Sequence, residues 1–183
     1  MIPELGHFAL VLALVLAAVQ TVFGIVGPAR GDLRWQAAVR PAAAGQFVLI
    51  SVAIASLLHA FVNFDFSVIY VASNSNSALP TFYRVAALWG AHEGSLLLWV
   101  WILAGWTLAV ALASRNLPVS FASRVLGVLG LVSFAFLLFT LATSNPFERI
   151  FPAPADGRDL NPVLQDPALP IHPPLLYMGY VGL

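Results

Sequence analysis

The stretch Leu5–Ala29 reads LGHFALVLALVLAAVQTVFGIVGPA and contains no Asp, Glu, Lys or Arg. A helix crosses the hydrocarbon layer with about 20 predominantly apolar residues, and one central charge costs about 2.5–3.5 kcal/mol on insertion scales. Leu5–Ala29 is therefore expected to be a transmembrane helix. The same test picks out Pro41–Phe64, Gly94–Ser114 and Val125–Thr143, and a fifth run that begins at Leu175 and reaches Leu183. That last run is too short to cross a bilayer. The expected fold is an all-α polytopic membrane bundle with four complete spans and the start of a fifth, the N-terminal part of a larger membrane domain.

Composition agrees with this reading. Of 183 residues, 60% are hydrophobic and 9% charged, against about 25% charged in soluble domains, too few to cover a water-facing surface. Eight Arg balance eight acids, so the formal charge is zero, and there is no basic face for nucleic acid. The absence of cysteine excludes disulfides, thiolate metal sites and thiol catalysis by this chain. Met1–His7 lacks Lys and Arg and the first apolar run exceeds the ~7–15 residues of a signal-peptide core, so it is expected to be a retained anchor.

Arginines set the expected orientation. Arg30, Arg34 and Arg40 lie in the connection after the first span, and Arg115 and Arg124 in that before the fourth. The alternate connections carry Arg84, Arg149 and Arg158, each near acids in sequence. The positive-inside rule then puts the first set in the cytoplasm and leaves Met1, residues 65–93 and residues 144–174 outside. These two outer loops are longer than most helix connections, which marks them as functional candidates.

In the first outer loop, Asp65–Val71 is β-prone and the following Ser-Asn-rich residues favour turns. Phe82, Val85, Ala86 and Trp89 recur at helical spacing, predicting a short amphipathic helix in the interface. Next comes Trp89-Gly-Ala-His92-Glu93-Gly-Ser95 at the mouth of the third span. Adjacent residues on a helix point about 100° apart, so His92 and Glu93 form no acid/base dyad. Leu96 stands where a zinc-protease motif needs its second histidine. Glu93 complements the helix dipole, and a functional role stands level with that. Trp99 and Trp106 share a helix face and Trp101 lies elsewhere; lipid contact is the default for all three, the wall of a flat ligand's pocket the alternative. His59 is expected to hydrogen-bond a neighbouring helix.

The second outer loop carries prolines at 146, 152, 154, 162, 167, 170, 173 and 174, so it is stiff and not a continuous helix. Pro173-Pro174 suits a helix opening, with His172 just outside it. Two readings stand for His172: an axial ligand to iron, or a cap of its helix or loop. One histidine does not define a metal site, so a second ligand is expected beyond Leu183 or on another chain.

Several strings together resemble one family: Met1-Ile-Pro-Glu-Leu-Gly6, Tyr70-Val-Ala-Ser-Asn-Ser-Asn-Ser77, Trp89-Gly-Ala-His-Glu-Gly-Ser-Leu-Leu-Leu-Trp99, and Gly157-Arg-Asp-Leu-Asn-Pro-Val-Leu-Gln-Asp-Pro167 followed by His172-Pro-Pro-Leu-Leu-Tyr-Met-Gly-Tyr180. They resemble the CcmF-type subunit of the cytochrome c haem lyase. The resemblance implies a protein of the bacterial inner membrane whose outward loops face the periplasm. It implies that the protein takes haem from a haem chaperone and presents it for thioether attachment to apocytochrome c, alongside thiol-handling partner proteins. It matches His172 to an outward-facing ligand of a b-type haem, and the Trp89–Ser95 string to a family signature without an assigned chemical role. Trp89, His92 and Glu93 are therefore expected to join His172 in cofactor binding. Two other classes stand beside this one: a proton-coupled transporter or respiratory-complex subunit relaying protons through His92, Glu93 and His172, and a non-catalytic assembly subunit.

Overall fold

A computed structural model of the chain describes residues 1–168 and 170–182. In order the helices are α1 (Ile2–Arg30), α2 (Leu33–Val62), α3 (Ile69–Asn74), α4 (Thr81–Ala87), α5 (His92–Ala113), α6 (Val119–Thr143) and α7 (His172–Gly182). Short 3-10 turns occupy Ser114–Asn116 and Pro162–Gln165. Four helical stretches, α1, α2, His92–Asn116 and α6, are long and apolar enough to cross a membrane. The protein is an all-α polytopic membrane bundle.

Lipid tails are as apolar as Leu, so helices associate in a bilayer through close packing and polar contacts. α1 and α6 meet where Gly24 faces Gly127: a Cβ on Gly24 would lie 2.5 Å from the Gly127 Cα. One stretch further along the interface, the fully buried Gln20 of α1 donates from Nε2 to the Leu126 carbonyl at 2.7 Å, and the fully buried Gln46 of α2 donates to Gln20 Oε1 at 3.5 Å. Gly130 makes room for the Gln20 stem. Leu5, Phe8, Val15 and Val22 on α1, and Phe121, Val128, Leu131 and Leu138 on α6, remain exposed as a lipid-facing surface.

The connection expected across Arg30–Arg40 is only Gly31-Asp32. Gly31 takes the left-handed conformation (φ 67°) that closes α1, and the Asp32 carboxylate accepts from the Arg34 and Trp35 amides at 2.8 and 3.3 Å to open α2. Arg34, Arg40 and Pro41 therefore sit on the helix. α6 likewise starts at Val119, placing Arg124 within it. Periodicity and charge stop short because a helix end near the headgroups tolerates arginine.

Asp65–Val71 does not form a strand. Among the described residues, β pairing is confined to one bridge between Val68 and Arg149, and Ile69 opens α3, whose inward turn buries Tyr70 and Val71. With no partner strand alongside, β propensity yields to burial.

At this end of the bundle the two long connections are tied to each other. Arg149 pairs with Glu4 at 2.5 Å and with Asp65 at 3.2 Å, and also bonds Ser67. Asp156 accepts from the Ser77 amide at 2.9 Å and its hydroxyl at 2.6 Å, and the Arg158 amide donates to the Ala72 carbonyl at 2.7 Å. Gly157 permits that contact, since a Cβ there would lie 2.0 Å from the Ser75 carbonyl oxygen. At the opposite end, Arg40 Nη2 donates to the Ser114 carbonyl at 2.8 Å, joining the start of α2 to the end of α5.

Gly24→Ala should force α1 and α6 apart and destabilise the bundle by about 1–3 kcal/mol. Gly105→Ala, whose Cβ would find Phe47 at an ordinary 3.6 Å, should shift stability by less than about 0.5 kcal/mol. Unfolding in mixed micelles measures both, and equal shifts would contradict the close-packing account.

Candidate functional site

The Trp89–Ser95 string forms the corner between α4 and α5. Tyr70 reaches into it from α3, only 4% exposed. Its hydroxyl accepts from the Ala91 amide at 3.2 Å and donates to the Leu88 carbonyl at 3.0 Å, while its ring meets Phe61 edge-on at 5.5 Å. Burial raises the Tyr70 pKa above its ordinary value, so the phenol stays a neutral donor. Gly94 is a steric requirement of the same corner: a Cβ would lie 1.7 Å from the Leu88 carbonyl oxygen and 2.5 Å from the Tyr70 hydroxyl. Part of the signature is therefore backbone geometry.

From this corner Trp89 acts as a strut. Its carbonyl accepts from the Ser95 hydroxyl at 2.9 Å, and its indole Nε1 donates to the Pro170 carbonyl at 2.8 Å. Pro170 belongs to the strap leading into α7. His172 is the first residue of α7 rather than the residue outside it. Pro173 and Pro174 fill the first turn, where their missing N–H groups cost nothing. The His172 ring is exposed; its chain neighbours Ile171 and Pro174, with Phe82, Val85, Trp89 and Leu175, wall an apolar groove of about 250 Å³ that His172 itself does not line.

His92 and Glu93 diverge as helical geometry requires. His92 Nδ1 lies 3.1 Å from Ser144 Oγ, and its ring meets Phe139 edge-on at 6.2 Å. It lines a second cavity of about 330 Å³ with Ser95, Leu96, Trp99, Phe136 and Tyr177. Glu93 is half-buried in the first turn of α5, where its charge faces Tyr70, and it lines neither space. The structure thus joins Trp89 to the mount of His172 and sets His92 in a neighbouring cavity. Among the described residues no three His, Cys, Asp or Glu side chains gather as a metal site.

The tryptophans of α5 pack on protein and not simply on lipid. Trp99 packs against Phe136 in a tilted pair with ring centroids 4.0 Å apart, Trp101 Nε1 donates to Ser51 Oγ at 2.8 Å, and Trp106 Nε1 donates to the Met178 carbonyl at 3.3 Å. The His59 ring is exposed, with no hydrogen bond to a neighbouring helix among the described residues; its carbonyl accepts from Asn63 one turn on. Tyr70, Ser144 and the contact between Asn145 Nδ2 and His7 Nδ1 at 3.2 Å are site features not expected from the sequence. A signal existed for the last two, since Ser-Asn-Pro after a long apolar run marks a helix end. Tyr70 carried none.

Residues 89–183, starting at the Trp89 strut and including His92, Glu93 and His172, match the sequence model of the family described as Cytochrome C assembly protein. The chain belongs to the cytochrome c assembly protein family. Among its relatives, the cytochrome c-type biogenesis protein CcmF of Pseudomonas aeruginosa is 60% identical over the whole chain, and that of Escherichia coli K12 is 56% identical. The chain spans 28% of the length of each of these two relatives. A solved structure titled "Cytochrome c Heme Lyase CcmF" superposes with a TM-score of 0.86 at 27% identity, over all of this chain and 28% of the other. In this family member, then, the bundle, the corner and the strap all fall within a shared architecture.

The bond between the two long connections supplies a pH test. Hydrogen bonds from Ser77 hold the Asp156 carboxyl below its ordinary value of 3.8. A depressed carboxylate stabilises the folded state above the unfolded value and loses that contribution as pH falls through the folded value. The Ser77 amide should therefore stay protected from hydrogen exchange at neutral pH and lose protection only below about pH 3.8; Asp156→Asn should weaken protection at neutral pH.

Proposed function

We propose that this chain is part of a haem-handling membrane subunit in cytochrome c maturation, with His172 as an iron ligand mounted at the outer surface. The observation that carries the assignment is the Trp89 indole bond to the Pro170 carbonyl. It fixes the strap two residues before His172, so an exposed imidazole stands on a braced helix start rather than on a free loop.

The residues fit the group. A neutral imidazole is a good ligand for haem iron. The adjoining groove is walled by Trp89, Phe82, Val85, Ile171, Pro174 and Leu175, which suits a flat apolar macrocycle. At about 250 Å³ it is smaller than most ligand pockets, so it would hold an edge of the macrocycle, with further walls and the second axial ligand from outside the described residues. Bound haem would supply the vinyl carbons to which apocytochrome thiols add. The chain's own part is to hold and orient: His172 at the iron, Trp89 bracing the mount, Glu93 steadying the start of α5 through its dipole. Rigid presentation is what such a step needs from a protein, and residues 1–183 contribute no competing thiol.

The relatives' printed names, cytochrome c-type biogenesis protein and haem lyase, support this reading over a proton-coupled transporter. So does the divergence of His92 and Glu93. In this proposal haem comes from a haem chaperone, the acceptor is apocytochrome c with its thiol-handling partners, and the membrane is the bacterial inner membrane. The end carrying α3, α4 and residues 144–171 faces the periplasm, because Arg30, Arg34, Arg40, Arg115 and Arg124 gather at the other end.

In the full-length protein, His172→Ala should lower holocytochrome yield at least about tenfold, and an unchanged yield would remove His172 from the site. Because residues 1–183 contain no cysteine, a topology assay needs only that any cysteine elsewhere in the full-length protein be replaced. A membrane-impermeant maleimide applied to spheroplasts should label Ser77→Cys and spare Arg115→Cys; the reverse pattern would invert the orientation.

A further inference from the structure

The cavity around His92 has a hydrogen-bond chain whose directions can be worked out. Thr143 Oγ1 donates its single proton to the Phe139 carbonyl at 2.9 Å. Ser144 Oγ lies 3.2 Å from Thr143 Oγ1, so the proton in that contact belongs to Ser144. With that proton committed, Ser144 Oγ meets His92 Nδ1 at 3.1 Å as an acceptor. On that assignment His92 carries its hydrogen on Nδ1, and in the neutral ring Nε2 holds the lone pair. One ring nitrogen held by an oxygen and the other left free is the arrangement that orients metal-ligating histidines.

The surroundings select a ligand class. Ser144 is buried, 4% exposed, while the His92 ring is exposed and faces a cavity walled by Leu96, Trp99, Phe136 and Tyr177. A second apolar trough, lined by Leu96, Ala135, Phe136 and Phe139, continues from it through the shared Leu96 and Phe136. An imidazole lining a cavity with aromatic and aliphatic walls would suit a metalloporphyrin, the imidazole holding the iron and the walls covering the apolar macrocycle. Tyr177 lies on the same helix as His172, five residues on, which is about 7.5 Å along the axis. His172 thus opens α7, and His92 shares a cavity with Tyr177 at its middle.

We infer that His92 is an iron ligand in its own right, forming a haem station separate from that of His172, with its tautomer set by the Ser144, Thr143 and Phe139 chain. The inference rests on the haem-handling reading above. It assigns the Trp89–Ser95 string two tasks: bracing the mount of His172 through Trp89, and carrying a second ligand through His92.

The test titrates ferric protoporphyrin IX into the full-length protein in nanodiscs and reads Soret difference spectra. His172→Ala should still take up haem with an imidazole-type Soret band. Adding His92→Gly should weaken that uptake at least about tenfold, and external imidazole should restore the band. Ser144→Ala in the His172→Ala background should weaken uptake in the same direction, and Ser144→Thr, which keeps the hydroxyl, should restore it. Unchanged uptake in His172→Ala/His92→Gly overturns the station, as does a loss that imidazole does not rescue, since that marks a packing role. Failure of His172→Ala alone to take up haem also overturns it. Failure of the unmutated protein to bind haem overturns the haem-handling reading itself.

Discussion

Inside a bilayer there is no water to satisfy an unpaired peptide group, so irregular backbone can exist only at the ends of a bundle or where protein covers it. The architecture of this chain follows from that constraint. Four long helices satisfy their own backbone bonds across the apolar layer, and most of the irregular chain among the described residues collects beyond one end in residues 63–68, 75–80, 88–91, 144–161 and 166–168. There the peptide groups find other partners. Tyr70 serves the Leu88 carbonyl and the Ala91 amide, Asp156 serves Ser77, and Trp89 serves the Pro170 carbonyl. The bonds that make these loops tolerable near a membrane are the same bonds that hold candidate ligands in fixed positions.

Within the spans the same constraint favours small residues and buried amides over bulky apolar side chains. Gly24 and Gly127 allow α1 and α6 to touch backbone to backbone, and Gln20 and Gln46 add polar contacts that have no competitor in lipid. The bundle is rigid where these contacts lie, and that rigidity carries upward. α6 ends in Thr143 and Ser144, whose hydroxyls orient His92 from below. α5 begins at His92 and packs Trp99 on Phe136 of α6.

Much of the fold was legible in the primary structure, because membrane insertion depends on length and apolarity and both can be counted. The amphipathic α4 and the helix start at Pro173-Pro174 were legible for similar reasons, since 3.6-residue periodicity and proline placement are local properties. The Arg30–Arg40 connection misled because arginine and proline lower hydropathy without ending a helix whose N-cap, Asp32, is good. Asp65–Val71 misled because a β-prone string needs a neighbour, and Val68 found only Arg149. Of the site, the residue types His172, Trp89, His92 and Glu93 were legible and their grouping was not. Trp89 belongs with the strap 81 residues later and His92 with Ser144, 52 residues later.

By itself the sequence determined the class of protein, a helical membrane bundle with its polar chemistry confined to loops, because the transfer cost of charge and peptide groups into lipid acts residue by residue. Only the tertiary structure decided which side chain holds the His92 ring, why Gly94 can be nothing larger, and what braces His172. Those properties depend on contacts between segments far apart in the chain. No periodicity or composition records the meeting of His92 with Ser144, 52 residues further along the chain.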